Sequence, residues 1–224
     1  FSTRTVSERH YCLVKVRGKD GNEGIGFCYV GSAGGDIAKI AVEQLLAPKL
    51  IGQNSHRSEG LWMEMYSESI LQGRAGAVMR GISILDTALW DLNARSVGLP
   101  LHQYLGAVVD DRVPAYASGG YYLEGKTPAK LGQEMESYVK QGFKAVKMKV
   151  GRLSPSEEEA RVKAARKAVG DDVLLTLDAN NAWRDLPTAL EYVRRFEAYN
   201  PYWIEEPFSP DAIDLHAALA RQTK

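Results

Sequence analysis

The chain has 224 residues, 45% of them hydrophobic, and its 28 basic residues balance its 28 acidic residues. This composition excludes a disordered or collagen-like chain, and the balanced charge argues against nucleic acid or an anionic membrane surface as a partner. No apolar run approaches the ~20 residues that span a bilayer, so we predict a soluble, cytoplasmic protein that acts on small molecules.

The N-terminal part begins with a predicted β-hairpin. Residues Tyr11 to Arg17 alternate apolar and polar positions, Asp20-Gly21 is a tight-turn signal, and the apolar stretch GIGFCYV follows. Helical patterns come next, over about 36–47, 57–71 and 76–97. Strands followed by helices predict an α+β domain, which we place at residues 1–110.

From residue 111 onward, strand and helix patterns alternate. The strand-like stretches are VPAYAS, FKAVKMKV, VLLTLDAN and YWIEEP, and a helical pattern follows each. Four consecutive βα units predict a parallel sheet, in either an α/β barrel or a doubly wound fold. An eight-stranded barrel normally takes ~250 residues, so the barrel interpretation makes residues 111–224 the first half of a barrel and expects a longer polypeptide.

Charged side chains end three successive predicted strands. Because side chains alternate between the two faces of a strand, Lys147 and Lys149 share a face, as do Asp178 and Asn180. Glu205 ends the strand after them. The carboxyl ends of barrel strands are where α/β barrels assemble their active sites, so we predict that these side chains meet at one rim.

Each of these groups also has an ordinary structural interpretation. Two lysines near a strand end can be solvated, Asp178 can cap the following turn or helix, and Glu205-Glu206 can simply begin a loop. Taken together, the residues favour a functional site. Without one, charged side chains would have to occur by chance at the ends of consecutive strands and with matching directions.

Removal of a proton from the carbon next to a carboxylate requires such a set. Oxygen ligands from Asp178 and Glu205 suit Mg²⁺, which would hold the substrate carboxylate and stabilise the enolate. Lys149 can act as the base, since the metal and Lys147 both oppose a second positive charge nearby. We therefore predict magnesium-dependent abstraction of an α-proton from a small-molecule carboxylic acid.

The motifs resemble those of the enolase superfamily, and within it the mandelate racemase and muconate lactonizing enzyme group. RGISILDTALWDLNARSVGLPLHQYLG looks like the helical part of the family's capping domain, and VKMK, LDANNAW and WIEEP look like its barrel motifs. The resemblance implies a modified TIM barrel with an N-terminal α+β capping domain. It also implies that Lys149 is the acid/base, Lys147 its electrostatic and substrate-binding neighbour, Asp178 and Glu205 two of three Mg²⁺ ligands, and Asn180 a substrate neighbour.

Other positions stay open. Ser118 ends the first barrel strand and is either a substrate contact or a turn residue of ASGGYY. Tyr29 begins the glycine-rich loop YVGSAGGD, and it contacts substrate if that loop closes over the barrel mouth or otherwise packs in its domain. The third metal ligand and any opposite-face acid or base are expected beyond Lys224. We also expect a homo-oligomer.

The stretch ASGGYY followed by VKMK looks like the sugar-acid and tartrate dehydratases of this group, so dehydration is the expected outcome. Racemisation or epimerisation is the alternative, and the group on the opposite face of the substrate decides between them. Two other classes are a metal-free Schiff-base lyase and a catalytically silent barrel. Inhibition by EDTA and borohydride trapping would separate the lyase from a magnesium enzyme.

Overall fold

The structure, a computed structural model, describes residues 1–73, 75–106 and 112–223. The chain forms two compact units, one of Val6–Arg112 and the other of Phe1–Thr5 together with Val113–Lys224. The predicted boundary between residues 110 and 111 falls outside the described residues and stays a prediction. No helix in the described ranges is long and apolar enough to cross a membrane.

The unit Val6–Arg112 has the α+β order that the sequence predicts. Strands β1 (Tyr11–Arg17) and β2 (Glu23–Tyr29) pair antiparallel and confirm the hairpin. The helices that follow are α1 (Gly35–Ile40), a π-helical stretch (Ala41–Leu46), α2 (Ala47–Leu50), α3 (Ser58–Glu68), α4 (Ile70–Gly73), α5 (Ala77–Ser96) and α6 (Leu101–Tyr104).

Helix α5 packs directly on the main chain of β2. An added Cβ atom at Gly24 or Gly26 would collide with the carbonyl oxygens of Ala88 and Ile84 on the helix. Glycine is therefore required here because two backbones approach closely.

The second unit contains four βα repeats. Its elements are β3 (Ala117–Ser118), α7 (Pro128–Lys140), β4 (Ala145–Lys149), α8 (Pro155–Val169), β5 (Leu174–Asp178), α9 (Leu186–Phe196), a 3₁₀ turn (Glu197–Tyr199), β6 (Ile204–Glu205) and α10 (Ile213–Ala220). The strands are parallel and lie in the order β3-β4-β5-β6. Strand order equal to chain order is that of a barrel wall, whereas a doubly wound sheet reverses direction at a switch point.

The two faces of this sheet differ in polarity. Val146, Met148, Leu175 and Leu177 belong to the buried apolar core that the strands share with the helices. Side chains alternate along a strand, so the residues between them point to the opposite face, which lines the inside of a barrel. The helical side thus supplies the hydrophobic core, and the inner side is free to carry polar residues.

The start of α8 forms a capping box. The Ser154 main-chain nitrogen donates to Oε2 of Glu157 at 3.0 Å, and Pro155 is the first helical residue. Strands β3 and β6 are shorter than the stretches VPAYAS and YWIEEP predict. Each of these two strands pairs with a single described neighbour and so makes fewer hydrogen bonds to other strands, which accounts for its short length.

We expect Gly120→Ala to destabilise the protein more than Gly125→Ala. Both glycines have left-handed φ angles, 64° and 67°, but only the Cβ added at Gly120 meets a neighbour, 2.5 Å from Cβ of Met148. The left-handed backbone costs each variant about 1–2 kcal/mol, and overpacking adds about 1–3 kcal/mol at Gly120 alone. Urea unfolding of both variants measures the difference, and equal losses would contradict the close packing of this loop on β4.

Candidate active site

The register of the sheet places three predicted site residues in one row. Lys149 of β4 pairs with Asp178 of β5, and Asp178 pairs with Glu205 of β6. Lys147 lies one side-chain repeat earlier on β4, where it pairs with Ser118 of β3. Register partners in a parallel sheet point to the same face, so the structure brings these five side chains to the inner face at the carboxyl ends of the strands.

The two lysines are buried in ion pairs and not solvated. Lys147 is 8% exposed and Lys149 is 5% exposed. Nζ of Lys147 lies 3.0 and 2.9 Å from the two carboxylate oxygens of Glu205 and 3.4 Å from Oδ2 of Asp178. Nζ of Lys149 donates to the same Oδ2 of Asp178. Two positive charges can therefore lie on one face of β4, because carboxylates from β5 and β6 compensate them.

Lys147 keeps its positive charge in this arrangement. Burial alone would lower the pKa of its ammonium group, but the hydrogen bond to Glu205 and the charges of Asp178 and Glu205 outweigh burial and raise the pKa above its ordinary value. At neutral pH, Lys147 is therefore a fixed cation beside the end of β4.

Asp178 and Glu205 are suited to share a hard cation. A single ammonium nitrogen, that of Lys147, lies within 3.4 Å of oxygens from both carboxylates, so one positive centre can reach the two side chains together. Carboxylate oxygens are the ligands that Mg²⁺ prefers, and one or two of them plus substrate and water commonly complete its site. Among the described residues, no three His, Cys, Asp or Glu side chains form a metal cluster, so these two residues are a partial ligand set.

The backbone that follows β5 and β6 is held in an unusual conformation. Asn180, Asn181 and Glu206 have φ angles of 48°, 61° and 48°. The nitrogen of Asn181 donates to the carbonyl oxygen of Glu206 at 2.7 Å, which ties the two strand ends together. Non-glycine residues with positive φ cost of order 1–3 kcal/mol each and concentrate at functional sites. Glu206 is exposed, whereas Glu205 beside it is half-buried.

Asp178 has a turn role as well as its ion pairs. Its Oδ1 accepts a hydrogen bond from the main-chain nitrogen of Asn180 at 3.0 Å, so the structural interpretation of Asp178 is correct in part. Within the described part of the chain, Oδ1 of Asn180 is buried without a hydrogen-bond partner. A buried acceptor without a partner, two residues after Asp178, is available to a ligand.

Ser118 and Tyr29 are placed differently. Ser118 lies beside Lys147 in register, on the inner face, and its contact with substrate stays a prediction. Tyr29 ends β2 in the unit Val6–Arg112, and its ring lies 5.6 Å from that of Tyr11. This contact fits the packing alternative for Tyr29, whose substrate contact also stays a prediction.

Three aromatic residues near the lysines were missed by the sequence analysis. Nζ of Lys147 lies 5.4 Å from the ring centroid of Tyr116, and Nζ of Lys149 lies 5.5 Å from the centroids of both Tyr121 and Phe1. Rings at this distance stabilise ammonium groups through cation–π attraction. Tyr116 could have been found from its parity with Ser118, and Tyr121 from its place in ASGGYY, but no local signal marks Phe1.

Two protein families match the chain in sequence. Residues 1–106 match the family described as "Mandelate racemase / muconate lactonizing enzyme, N-terminal domain", and residues 130–224 match that described as "Enolase C-terminal domain-like". The matches cover both the hairpin-and-helix unit and three of the four βα repeats.

Individual proteins are similar over most of the chain. An arabinonate dehydratase of Saccharolobus solfataricus is 40% identical over 187 residues, which are 84% of this chain and 50% of the relative. An L-talarate/galactarate dehydratase of Salmonella typhimurium is 35% identical over 220 residues, or 97% of this chain and 54% of the relative. The chain thus spans about half the length of these curated relatives.

Solved structures show the same similarity in three dimensions. The crystal structure of a racemase from Streptomyces coelicolor with bound magnesium superposes with a TM-score of 0.87 at 34% identity. The superposition covers 94% of this chain and 62% of the racemase chain.

Proposed function

Because the chain belongs to the mandelate racemase and muconate lactonizing enzyme group of the enolase superfamily, a group of enzymes, we propose that it removes the α-proton of a sugar-acid carboxylate and so initiates loss of water. The observation that carries the proposal is the meeting of Lys147, Lys149, Asp178 and Glu205 at the ends of three parallel strands. Two lysines and two carboxylates within contact distance of one another match the needs of enolate chemistry.

Lys149 is the proposed base. In its neutral form its amine takes the proton from the carbon next to the substrate carboxylate, and the electrons of that C–H bond move toward the carboxylate. Lys147, two residues before Lys149, contributes a fixed positive charge that stabilises negative charge on the substrate. Asn180, whose amide oxygen has no hydrogen-bond partner among the described residues, is proposed to receive a substrate hydroxyl.

Asp178 and Glu205 are the proposed ligands of Mg²⁺. When bound, Mg²⁺ supplies electrophilic stabilisation of the charge that develops on the substrate carboxylate. The two side chains can share one cation, as their common contact with Lys147 indicates, and a third ligand is expected from further along the polypeptide.

Dehydration is the proposed outcome because the relatives described above include two sugar-acid dehydratases. The C2–H bond breaks, and the hydroxyl on C3 leaves with a proton as water. The enol that remains becomes a 2-keto-3-deoxy acid when C3 accepts a proton and the hydroxyl on C2 releases one. No oxidant is needed. Racemisation is the second candidate, since the similar magnesium-bound structure is that of a racemase. It would return a proton to the opposite face of C2 without loss of water.

The test uses the full natural polypeptide that contains this sequence. We expect arabinonate, galactarate or another sugar acid, incubated with Mg²⁺ in D₂O, to give a keto acid detectable by NMR, and we expect EDTA to stop the reaction. Deuterium at C2 of an epimer without a keto product would indicate racemisation. Activity that survives EDTA and is trapped by borohydride would replace the proposal with a Schiff-base lyase.

A homo-oligomeric state and a cytoplasmic location complete the proposal. None of the described helices could span a membrane, which is compatible with a soluble enzyme that acts on small molecules. Light scattering coupled to size-exclusion chromatography of the full polypeptide would measure its subunit number, and a monomer would contradict the first of these expectations.

A further inference from the structure

A buried ion pair lies on helix α8 beside the candidate site. Glu158 is 0% exposed and Arg161 is 5% exposed, and NH1 of Arg161 lies 2.7 Å from Oε2 of Glu158. Burying two charges is costly unless further hydrogen bonds satisfy them, so the remaining partners of this pair indicate what it does.

Arg161 bonds to the main chain at two places near the site. Its NH1 donates to the carbonyl oxygen of Lys149 and its NH2 to that of Gly120, each at 2.8 Å. Lys149 is the last residue of β4, and Gly120 lies in the loop after β3. One rigid guanidinium group therefore joins the backbone of the proposed base to the neighbouring loop.

Glu158 holds the other side of the same region. Its Oε1 accepts hydrogen bonds from the main-chain nitrogens of Arg152 at 2.9 Å and Leu153 at 3.0 Å, in the loop directly after β4. The same oxygen accepts from the hydroxyl of Tyr122, whose ring lies 4.1 Å from the guanidinium carbon of Arg161. Apart from their mutual ion pair, the side-chain hydrogen bonds described above for the two residues go to Lys149 and to the loops on either side of it.

A second arginine on the same helix provides a contrast. Arg166 also donates to main-chain carbonyls, from Nε to Tyr199 at 2.9 Å and from NH1 to Gly170 at 2.8 Å and Val173 at 2.7 Å. These residues precede β5 and β6, at the amino ends of the strands. The amino-terminal face of a barrel contributes stability, whereas the carboxyl-terminal face carries the chemistry.

We propose that Arg161, held by Glu158 and Tyr122, is a positioning residue that fixes the end of β4 and thereby the place of the Lys149 amine against the substrate. The inference rests on the proposed function of Lys149 as base. Removing Arg161 would leave Lys149 in the chain but free its backbone and the loop at Gly120 to shift, and a displacement of about 1 Å can cost about 10²-fold in rate.

The experiment compares Arg161→Met with Arg166→Met in the full natural polypeptide. For Arg161→Met we expect kcat for the sugar acid to fall about 10²-fold with little change in KM, while Arg166→Met lowers the melting temperature but keeps kcat near that of the wild type. Hydrogen exchange adds a readout that is independent of activity. Protection should be lost at residues 150–153 in Arg161→Met and at 170–174 in Arg166→Met.

A double variant, Glu158→Gln with Arg161→Met, guards against simple misfolding. Its amide leaves no uncompensated buried charge, and the amide oxygen can still accept from the main-chain nitrogens of Arg152 and Leu153. It should regain the thermal stability that Arg161→Met loses but not its turnover. Wild-type kcat in the folded double variant would overturn the proposal, as would unchanged exchange at 150–153 in Arg161→Met. If the wild type processes no sugar acid, the proposed function fails, and the exchange measurement alone then decides whether Arg161 fixes this backbone.

Discussion

Replacing Lys149 by methionine is expected to abolish α-proton exchange in the full natural polypeptide while Mg²⁺ binding persists. Only Lys149 is proposed to meet the proton in the transition state, and a positioned general base is typically worth ~10²–10⁴ in rate. Methionine is unbranched and of similar length, so it fills the same buried space without the amine. NMR in D₂O measures two quantities, the deuterium at C2 of the recovered sugar acid and the formation of the keto acid.

Lys147→Met is the matched control for this experiment. It removes a lysine of the same strand face, also buried and also paired with a carboxylate. We expect it to raise KM and shift the pH profile, because Lys147 acts on the substrate through its charge, but to retain measurable exchange. Wild-type exchange in Lys149→Met would remove this residue from the mechanism and would transfer the role of base to another group.

Asp178→Asn and Glu205→Gln are expected to weaken Mg²⁺ binding and abolish turnover, since the amides keep the shape of the side chains but lose the charge that attracts the cation. The two variants should differ in stability. Asp178 is 2% exposed and contacts both lysines, so its neutralisation leaves buried positive charge and is expected to cost about 3–5 kcal/mol. Glu205 has a more accessible side chain, and Glu205→Gln should cost less.

Glu206→Gln is the control for the metal experiment. It changes the neighbouring glutamate, whose side chain is exposed, and it should leave Mg²⁺ affinity as it is in the wild type. Calorimetric titration with Mg²⁺ and urea unfolding of all three variants give the two readouts. If Asp178→Asn and Glu205→Gln both bound Mg²⁺ like Glu206→Gln, the metal assignment would have to be withdrawn.

Local sequence patterns were sufficient for most of the elements. The alternation in Tyr11 to Arg17 and the turn signal Asp20-Gly21 predicted the hairpin of β1 and β2, because both signals act within a few residues of the chain. The choice between a barrel and a doubly wound sheet was left open by the same patterns. It depends on which strands pair, and only the order β3-β4-β5-β6 decided it.

The candidate site was likewise predictable in part from local sequence, and the rest depended on tertiary structure. Side-chain alternation has a period of two, so the sequence by itself determined that Lys147 and Lys149 share a face and that residues at three strand ends belong together. Tertiary structure decided that Lys149, Asp178 and Glu205 stand in one row, because register is set by long-range pairing. Tertiary structure also decided that the lysines are buried and that Arg161 bonds to the carbonyl of Lys149. A buried charge is tolerated only where partners compensate it, and these partners come from elements that are distant in sequence.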